Sequence, residues 1–320
     1  MNKEKIAVLF PGQGSQYVGM GRDFIQVDPE AMAIMDLAEQ VSGLPIKELC
    51  LNGPMESLTE AENLQPALSA ANLVCWHAVQ QAGLRPDFFA GHSLGEYSAL
   101  QAAGALSLED TFRLVTARGK IMAAAGSENP GGMAAVLGLD MSVVQDILRE
   151  IAAPDKISIG NYNSAQQIVI SGDTQTVKDA CDLAIDKGGK AITLKVSIAN
   201  HSPLMKAAVP EFEKILANTP LKRPVTPIFF NVTATREVEP PVIKDIMARQ
   251  VVSMVRWLDI INALLAQDVR TFIEVGPKKV LSGLLKRILP KGGGYRCYQI
   301  DGSESLDKCR LESGLFVSDP

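Results

Sequence analysis

The chain has 320 residues, 47% of them hydrophobic and 21% charged, with a formal net charge of -5 at pH 7. That length supports one large domain or two smaller ones with cores of their own, and the composition is that of a folded globular protein. The negative balance excludes nucleic acid as the main partner, so an anionic ligand must be held by a local basic cluster.

No apolar run approaches the ~18 residues a membrane helix needs. Met1 to Lys5 followed by the short run Ile6 to Phe10 lacks the shape of a signal peptide, so a cytoplasmic protein with no membrane partner is expected. Five cysteines, Cys50, Cys75, Cys181, Cys297 and Cys309, are odd in number and form no C-x-x-C pair, which suggests neither a disulfide framework nor a zinc site.

Lys5 to Phe10 reads as a buried strand, and it runs into the glycine-rich loop Pro11-Gly12-Gln13-Gly14-Ser15-Gln16. A dinucleotide fingerprint would place glycine where Tyr17 stands and an acidic residue at the end of a second strand, and both are missing. Two readings of the loop stay open: an ordinary tight turn, or a close backbone approach that makes the Gln13 N–H an oxyanion donor. Leu64, Leu68, Ala71, Cys75 and Ala78 then recur at helical spacing, with Pro66 near the start and His77 on the flank.

Phe88-Phe89-Ala90 leads into Gly91-His92-Ser93-Leu94-Gly95, and an alanine-rich helical stretch, Ser98 to Ala105, follows. Strand, Gly-x-Ser-x-Gly turn and helix in that order describe a nucleophile elbow, in which Ser93 projects its hydroxyl and the Leu94 N–H faces the anion that forms beside it. The alternative is a surface Gly/Ser turn, which the flanking strand and helix disfavour. Ser107 as N-cap with Asp110 at N3 opens a helix to about Ala125. On it Arg113 pairs with Glu109, whereas Arg118 shares a face with Leu114, Val115, Ile121 and Met122. A buried guanidinium needs an anionic partner, either an internal acid or a ligand.

Strand-like and helical stretches alternate after Gly126: Gly132 to Leu139, Ser142 to Ile151, Lys156 to Asn161, Gln167 to Ser171, Thr174 to Asp186 and Lys190 to Val196. The order β-α-β-β-α-β is that of a ferredoxin-like subdomain, with Gly126 to Gly132 as the hinge in and Ser197 to Asn200 as the way back. Ser202 is a natural N-cap and Pro203 an N1 residue for a helix carrying Leu204, Ala208, Phe212 and Ile215. His201 thus sits on a loop at a domain junction, where pockets form. With His77 on a helix flank and His92 inside the elbow, His201 is the best-placed base for Ser93, a plain loop histidine being the alternative. Pro227 to Asn231 and Thr271 to Val275 complete the strands, separated by a helical region from Val242 to Ala266. Gly276-Pro277-Lys278-Lys279 precedes an amphipathic helix with Val280, Leu284 and Ile288, and the tail after Asp301 reads as polar and peripheral.

As a set, Gly12-Gln13-Gly14-Ser15-Gln16, Gly91-His92-Ser93-Leu94-Gly95-Glu96-Tyr97, Arg118, Asn161-Tyr162-Asn163-Ser164, His201, Gln250 and Glu274-Val275-Gly276-Pro277 resemble the malonyl-CoA:acyl carrier protein transacylase family, the acyltransferases of fatty acid and polyketide synthesis. The likeness runs from about residue 5 to residue 300. It implies an α/β fold: an α/β-hydrolase-like large domain with a mostly parallel sheet, residues 1–127 and 199–320, and an inserted ferredoxin-like subdomain, residues 128–198. It implies Ser93 as acyl-carrying nucleophile, His201 as its base, the N–H groups of Gln13 and Leu94 as oxyanion hole, and Arg118 as clamp for the malonyl carboxylate. It also implies the Gln250 backbone carbonyl as the group that orients His201; from the residues alone Gln250 is only a polar side chain on a helix. Malonyl-CoA and acyl carrier protein are the implied partners of a monomer that needs no cofactor or metal beyond the coenzyme A thioester it consumes. Asn200 departs from the pattern, since relatives selective for malonyl units commonly carry serine there and modular relatives often phenylalanine. Lys190, Lys195, Lys278, Lys279, Lys286 and Arg287 are candidates for a patch that meets an acidic carrier protein.

Three other functions compete. A transferase for another acyl unit would share the whole apparatus. A serine esterase or thioesterase would use the same Ser93 and His201 with an acid such as Glu274 or Asp259 completing a triad. A non-catalytic scaffold would carry no adduct on Ser93.

Overall fold

The computed structural model describes residues 4–196 and 198–316; Ser197, the expected start of the return path, lies outside them. Its strands are β1 Lys5–Phe10, β2 Phe88–Gly91, β3 Gly131–Leu137, β4 Ile157–Ser164, β5 Gln167–Asp173, β6 Lys190–Thr193, β7 Ile228–Phe229, β8 Val269–Val275 and β9 Arg296–Ile300. A five-stranded sheet in the order β7-β2-β1-β8-β9 is parallel at every pairing.

A parallel sheet is covered on both faces, which is why β1 and β2 read as unbroken apolar runs. Alternation along β1 then divides its side chains. Ile6, Val8 and Phe10 join one core with the helices Ala61–Gln81 and Leu108–Glu128, while Ala7 and Leu9 join another with Trp257–Leu265 and Val280–Ile288. Phe10 pairs with Gly91, so the glycine-rich loop after β1 and the elbow after β2 emerge side by side at the carboxyl edge of the sheet. That edge is where open parallel sheets build their sites.

The second sheet, in the order β4-β5-β3-β6, is antiparallel at every pairing. Together with helices Met141–Ile151 and Thr174–Asp186 it has the β-α-β-β-α-β order expected of the ferredoxin-like unit. The helices pack through Ile147 and Val177 on the sheet's Val136 and Ile170, and the other face carries Met133, Ala135 and Val169. β4 is stitched to the larger body by Tyr162 N–H to the Val255 carbonyl and Val255 N–H to the Gly160 carbonyl, each 2.8 Å.

Several expected boundaries move. The helix after the elbow is Gly95–Ala102, starting at once because Leu94 is already helical at φ -54, ψ -35. The helix from Leu108 runs through the expected hinge glycine to Glu128, and β6 ends at Thr193. The helix after Pro203 is split into a 3-10 turn, Pro203–Met205, and a helix, Ala208–Asn218, because Pro210 has no N–H to offer the Lys206 carbonyl. The region Val242 to Ala266 is two helices, Pro240–Gln250 and Trp257–Leu265. A strand not expected from the sequence, β9, extends the sheet, and the tail after Asp301 is not peripheral, since its helix Ser303–Ser313 buries Leu306 and Cys309.

Candidate active site

Ser93 occupies the left-handed region at φ 50, a conformation that needs outside support in a residue other than glycine. Its flanking glycines let the turn close. A Cβ on Gly91 would lie 2.0 Å from the Gly95 carbonyl carbon, and one on Gly95 would lie 2.1 Å from the Phe10 oxygen. Asn231, just past β7, straps the turn: its Oδ1 accepts the Ser93 N–H and its Nδ2 donates to the Gly91 carbonyl, each at 2.6 Å.

The Ser93 Oγ lies 2.7 Å from His201 Nε2. His201 is itself left-handed at φ 60 and is anchored by its own N–H to the Val251 carbonyl at 3.0 Å. Its Nδ1 faces two carbonyl oxygens, Gln250 at 2.9 Å and Ser253 at 3.1 Å. Carbonyls only accept, so this environment assigns the proton to Nδ1 and leaves the Nε2 lone pair for the serine hydroxyl. Burial, aided by the Arg118 charge, pushes the His201 pKa down to about 3. The ring is therefore neutral, the form in which it accepts a proton.

Among the described residues no acid completes a triad. Glu274 accepts the Leu281 and Ser282 N–H groups at 2.9 and 2.7 Å, a cap on helix Val280–Ile288, and Asp259 pairs with Arg256 at 2.7 Å. Backbone carbonyls take that place, with Gln250 the nearer.

Arg118 is 3% exposed, as its apolar stripe requires. Its Nη1 donates to Gln65 Oε1 at 2.8 Å and its Nη2 to Gln250 Oε1 at 3.1 Å, with Ser93 Oγ 3.4 Å away. The Nε has no partner, and among the described residues no carboxylate comes within ion-pair distance. No internal acid thus touches the guanidinium directly, and its contacts are neutral oxygens and the Tyr97 ring, whose centroid is 5.5 Å away. A carboxylate arriving beside Ser93 would meet the guanidinium at Nη2, the atom 3.4 Å from Ser93 Oγ.

Gln13, Leu94, Arg118, Met133, Asn161 and Asn200 are among the residues that line the cavity over Ser93. Its volume is about 100 Å³. The amides of Gln13 and Leu94 meet no acceptor among the described residues, and both residues line the cavity, which leaves the two N–H groups free for an oxyanion. Met133, Leu194 and Val196 bring the open face of the antiparallel sheet to the opposite wall. Of the other histidines, His92 is fixed in the wall by Asn163 at 2.9 Å and by the Trp257 ring, and His77 pairs with Asp28 far from the cavity.

Four contributions have no counterpart in the sequence reading: Gln65, Asn231, Glu96 and the side chain of Gln250. An acid in an alanine-rich helix directly after the elbow was a readable signal for Glu96. Gln65 and Asn231 come from distant segments and carry no local pattern.

Residues 8–302 match the acyl transferase domain family. The chain is 41% identical over 286 residues, 89% of its length and 90% of the relative's, to a malonyl CoA-acyl carrier protein transacylase of Bacillus subtilis (strain 168). An acyl carrier protein S-malonyltransferase from Vibrio cholerae superposes with a TM-score of 0.90 at 38% identity, over 95% of this chain and 99% of that one. The complex of a type II PKS acyl-carrier protein with its malonyl-transacylase gives a TM-score of 0.91 at 35% identity, over 95% and 98% of the two chains.

Proposed function

Because the chain belongs to the acyl transferase domain family, we propose that it transfers a malonyl group from malonyl-CoA to the phosphopantetheine thiol of an acyl carrier protein, as a monomer in the cytoplasm. The observation that carries the choice of acyl unit is the buried Arg118 beside Ser93, with no carboxylate in direct contact among the described residues. Such a site is completed by an acyl group that brings one.

The transfer is ping-pong. Ser93 Oγ attacks the thioester carbonyl as its proton passes to His201 Nε2. The oxyanion rests on the Gln13 and Leu94 amides, each worth roughly 2.7–4 kcal/mol by the usual loss on removing such a donor. Collapse expels the coenzyme A thiolate, which takes the proton from His201 and leaves a malonyl ester on Ser93. The carrier thiol then repeats the sequence in reverse, with His201 as base and afterwards as acid. No metal or prosthetic group enters the scheme.

Arg118 has a second effect. Its charge disfavours the imidazolium of His201, so a malonyl carboxylate that neutralises the guanidinium raises the basicity of the histidine when substrate is present. A carboxylate forked on Arg118 also holds the ester in one pose. We take residues 1–127 and 199–320 as the large domain and 128–198 as the insertion whose open face closes the cavity. Of the basic candidates, Lys195 stands between the cavity-lining Leu194 and Val196, and Lys278 donates to the Gly14 carbonyl next to Gln13, so these two are the first to meet an acidic carrier protein.

Intact mass after brief mixing with malonyl-CoA tests the reading. The chain should gain one malonyl group, lose it to carrier protein, and gain nothing as Ser93→Ala. Release of free malonate at the transfer rate with no carrier protein would instead establish the hydrolase.

A further inference from the structure

Glu96 is wholly buried on helix Gly95–Ala102, and no step above uses it. Its two oxygens are held by N–H donors, Oε1 by Gln250 Nε2 at 2.9 Å and Oε2 by the Asn231 backbone at 2.6 Å, the pattern that suits an ionised carboxyl. Gln250 connects it to the rest of the site. The same side chain accepts from Arg118 Nη2 at 3.1 Å and donates to the Ser93 carbonyl at 3.1 Å, while its backbone oxygen faces His201 Nδ1 at 2.9 Å. One amide therefore spans the carboxyl, the guanidinium, the nucleophile's backbone and the base.

The titratable groups around Glu96 are Arg118 from the helix Leu108–Glu128, Tyr97 next to it on its own helix, and His201 across Gln250. Burial opposes its charge more strongly than Arg118 and the two N–H donors favour it, which pushes its pKa up to about 8. Tyr97 is pushed above its ordinary value, chiefly by burial, and His201 well below its own, so neither changes charge between neutrality and moderately alkaline pH.

We propose that Glu96, when ionised, is the counter-charge of Arg118, relayed through Gln250, and that a malonyl carboxylate seated on Arg118 takes over this role and drives a solvent proton onto Glu96. The inference rests on the reading of Arg118 as the clamp. Two carboxylates and one guanidinium cannot all stay ionised cheaply where water is excluded. The ligand carboxylate touches the guanidinium directly and Glu96 reaches it only through an amide, so Glu96 is the one neutralised. The proton comes from solvent, forms the O–H bond of the carboxylic acid, and returns to solvent when the malonyl group leaves on the carrier thiol. Glu96 acts through Gln250 and touches no reacting atom, which makes it a positioning residue. Above a pH of about 8 its charge competes with the ligand, and malonyl-CoA binding should weaken by up to about tenfold per pH unit.

Calorimetric binding of malonyl-CoA to the Ser93→Ala protein, in buffers of different ionisation enthalpy, measures the proton directly. Coenzyme A serves as the ligand without a carboxylate. Uptake approaching one proton per chain at about pH 9, little at about pH 7, and none with coenzyme A at either pH is the expected result. In the Ser93→Ala/Glu96→Gln protein the uptake should vanish and affinity should become independent of pH over that range. Tighter binding of malonyl-CoA than of coenzyme A with no uptake at the higher pH, or uptake that survives Glu96→Gln, overturns the role of Glu96 and leaves the clamp standing. Equal binding of the two ligands overturns the clamp itself. Should the double variant fail to fold, the proton count of Ser93→Ala alone decides.

Discussion

Replacing Arg118 with methionine removes the guanidinium and keeps much of its volume, and the structure sets the size of the effect. A carboxylate that takes two charge-assisted hydrogen bonds from the guanidinium, at ~1.5–3 kcal/mol each, would lose about 3–6 kcal/mol with the substitution. At ~1.4 kcal/mol per decade, kcat/KM for malonyl-CoA should fall by roughly 10² to 10⁴. Acetyl-CoA, with no carboxylate, should lose little. Stability should stay close to the parent's. The variant leaves the Gln65 and Gln250 oxygens without their donor, at ~1–3 kcal/mol each, but it also removes a buried cation with no carboxylate in direct contact, whose desolvation costs several kcal/mol. Quenched-flow acylation of Ser93 from each thioester, with thermal unfolding alongside, measures both sides. A variant that folds and keeps the parent's ratio of malonyl to acetyl transfer refutes the clamp.

The low pKa of His201 implies a flat acid limb: Ser93 acylation should hold its rate from about pH 8 to about pH 5, and a rate that halves near 6.5 contradicts the neutral, buried ring. The same depression affects stability. The unfolded histidine takes a proton below 6.5 and the folded one only near 3, so stability is lost as pH falls between the two, and His201→Gln should reduce the slope of denaturation midpoint against pH. Asn231→Ala frees the Ser93 N–H and the Gly91 carbonyl and should cost about 2–5 kcal/mol in chemical denaturation; a change within ~0.5 kcal/mol would show that the elbow holds itself. Gly91→Ala places a methyl 2.0 Å from backbone carbon and should yield no soluble protein, so recovery with the parent's melting temperature would sink the account of the turn.

The elbow, the buried arginine and the order of the ferredoxin-like unit were legible because each is a local pattern with one physical solution. Gly-x-Ser-x-Gly between strand and helix forces the turn, and the spacing of Leu114, Val115, Ile121 and Met122 around Arg118 forces its burial. The nearest group facing His201 Nδ1 was not legible from spacing: it is a backbone oxygen, which no side-chain pattern announces, and only the resemblance pointed to Gln250. The early helices left another gap, although Asp28 capping Pro29–Ser42 with proline at N1 is a signal the sequence offers. β9 escaped because only Ile300 of its residues is fully buried, which leaves the alternation too weak to see.

The pair of hydrogen bonds that joins β4 to Val255 reaches beyond the fold. Val255 closes the short stretch whose Gln250 and Ser253 oxygens hold the imidazole, so any tilt of the antiparallel sheet is transmitted to His201, the base we propose. Exchanging residues 128–198 for those of a relative, to alter which acyl units are accepted, would therefore disturb proton transfer unless residues 250–255 come from the same donor. Breadth of substrate and speed of chemistry are inherited together.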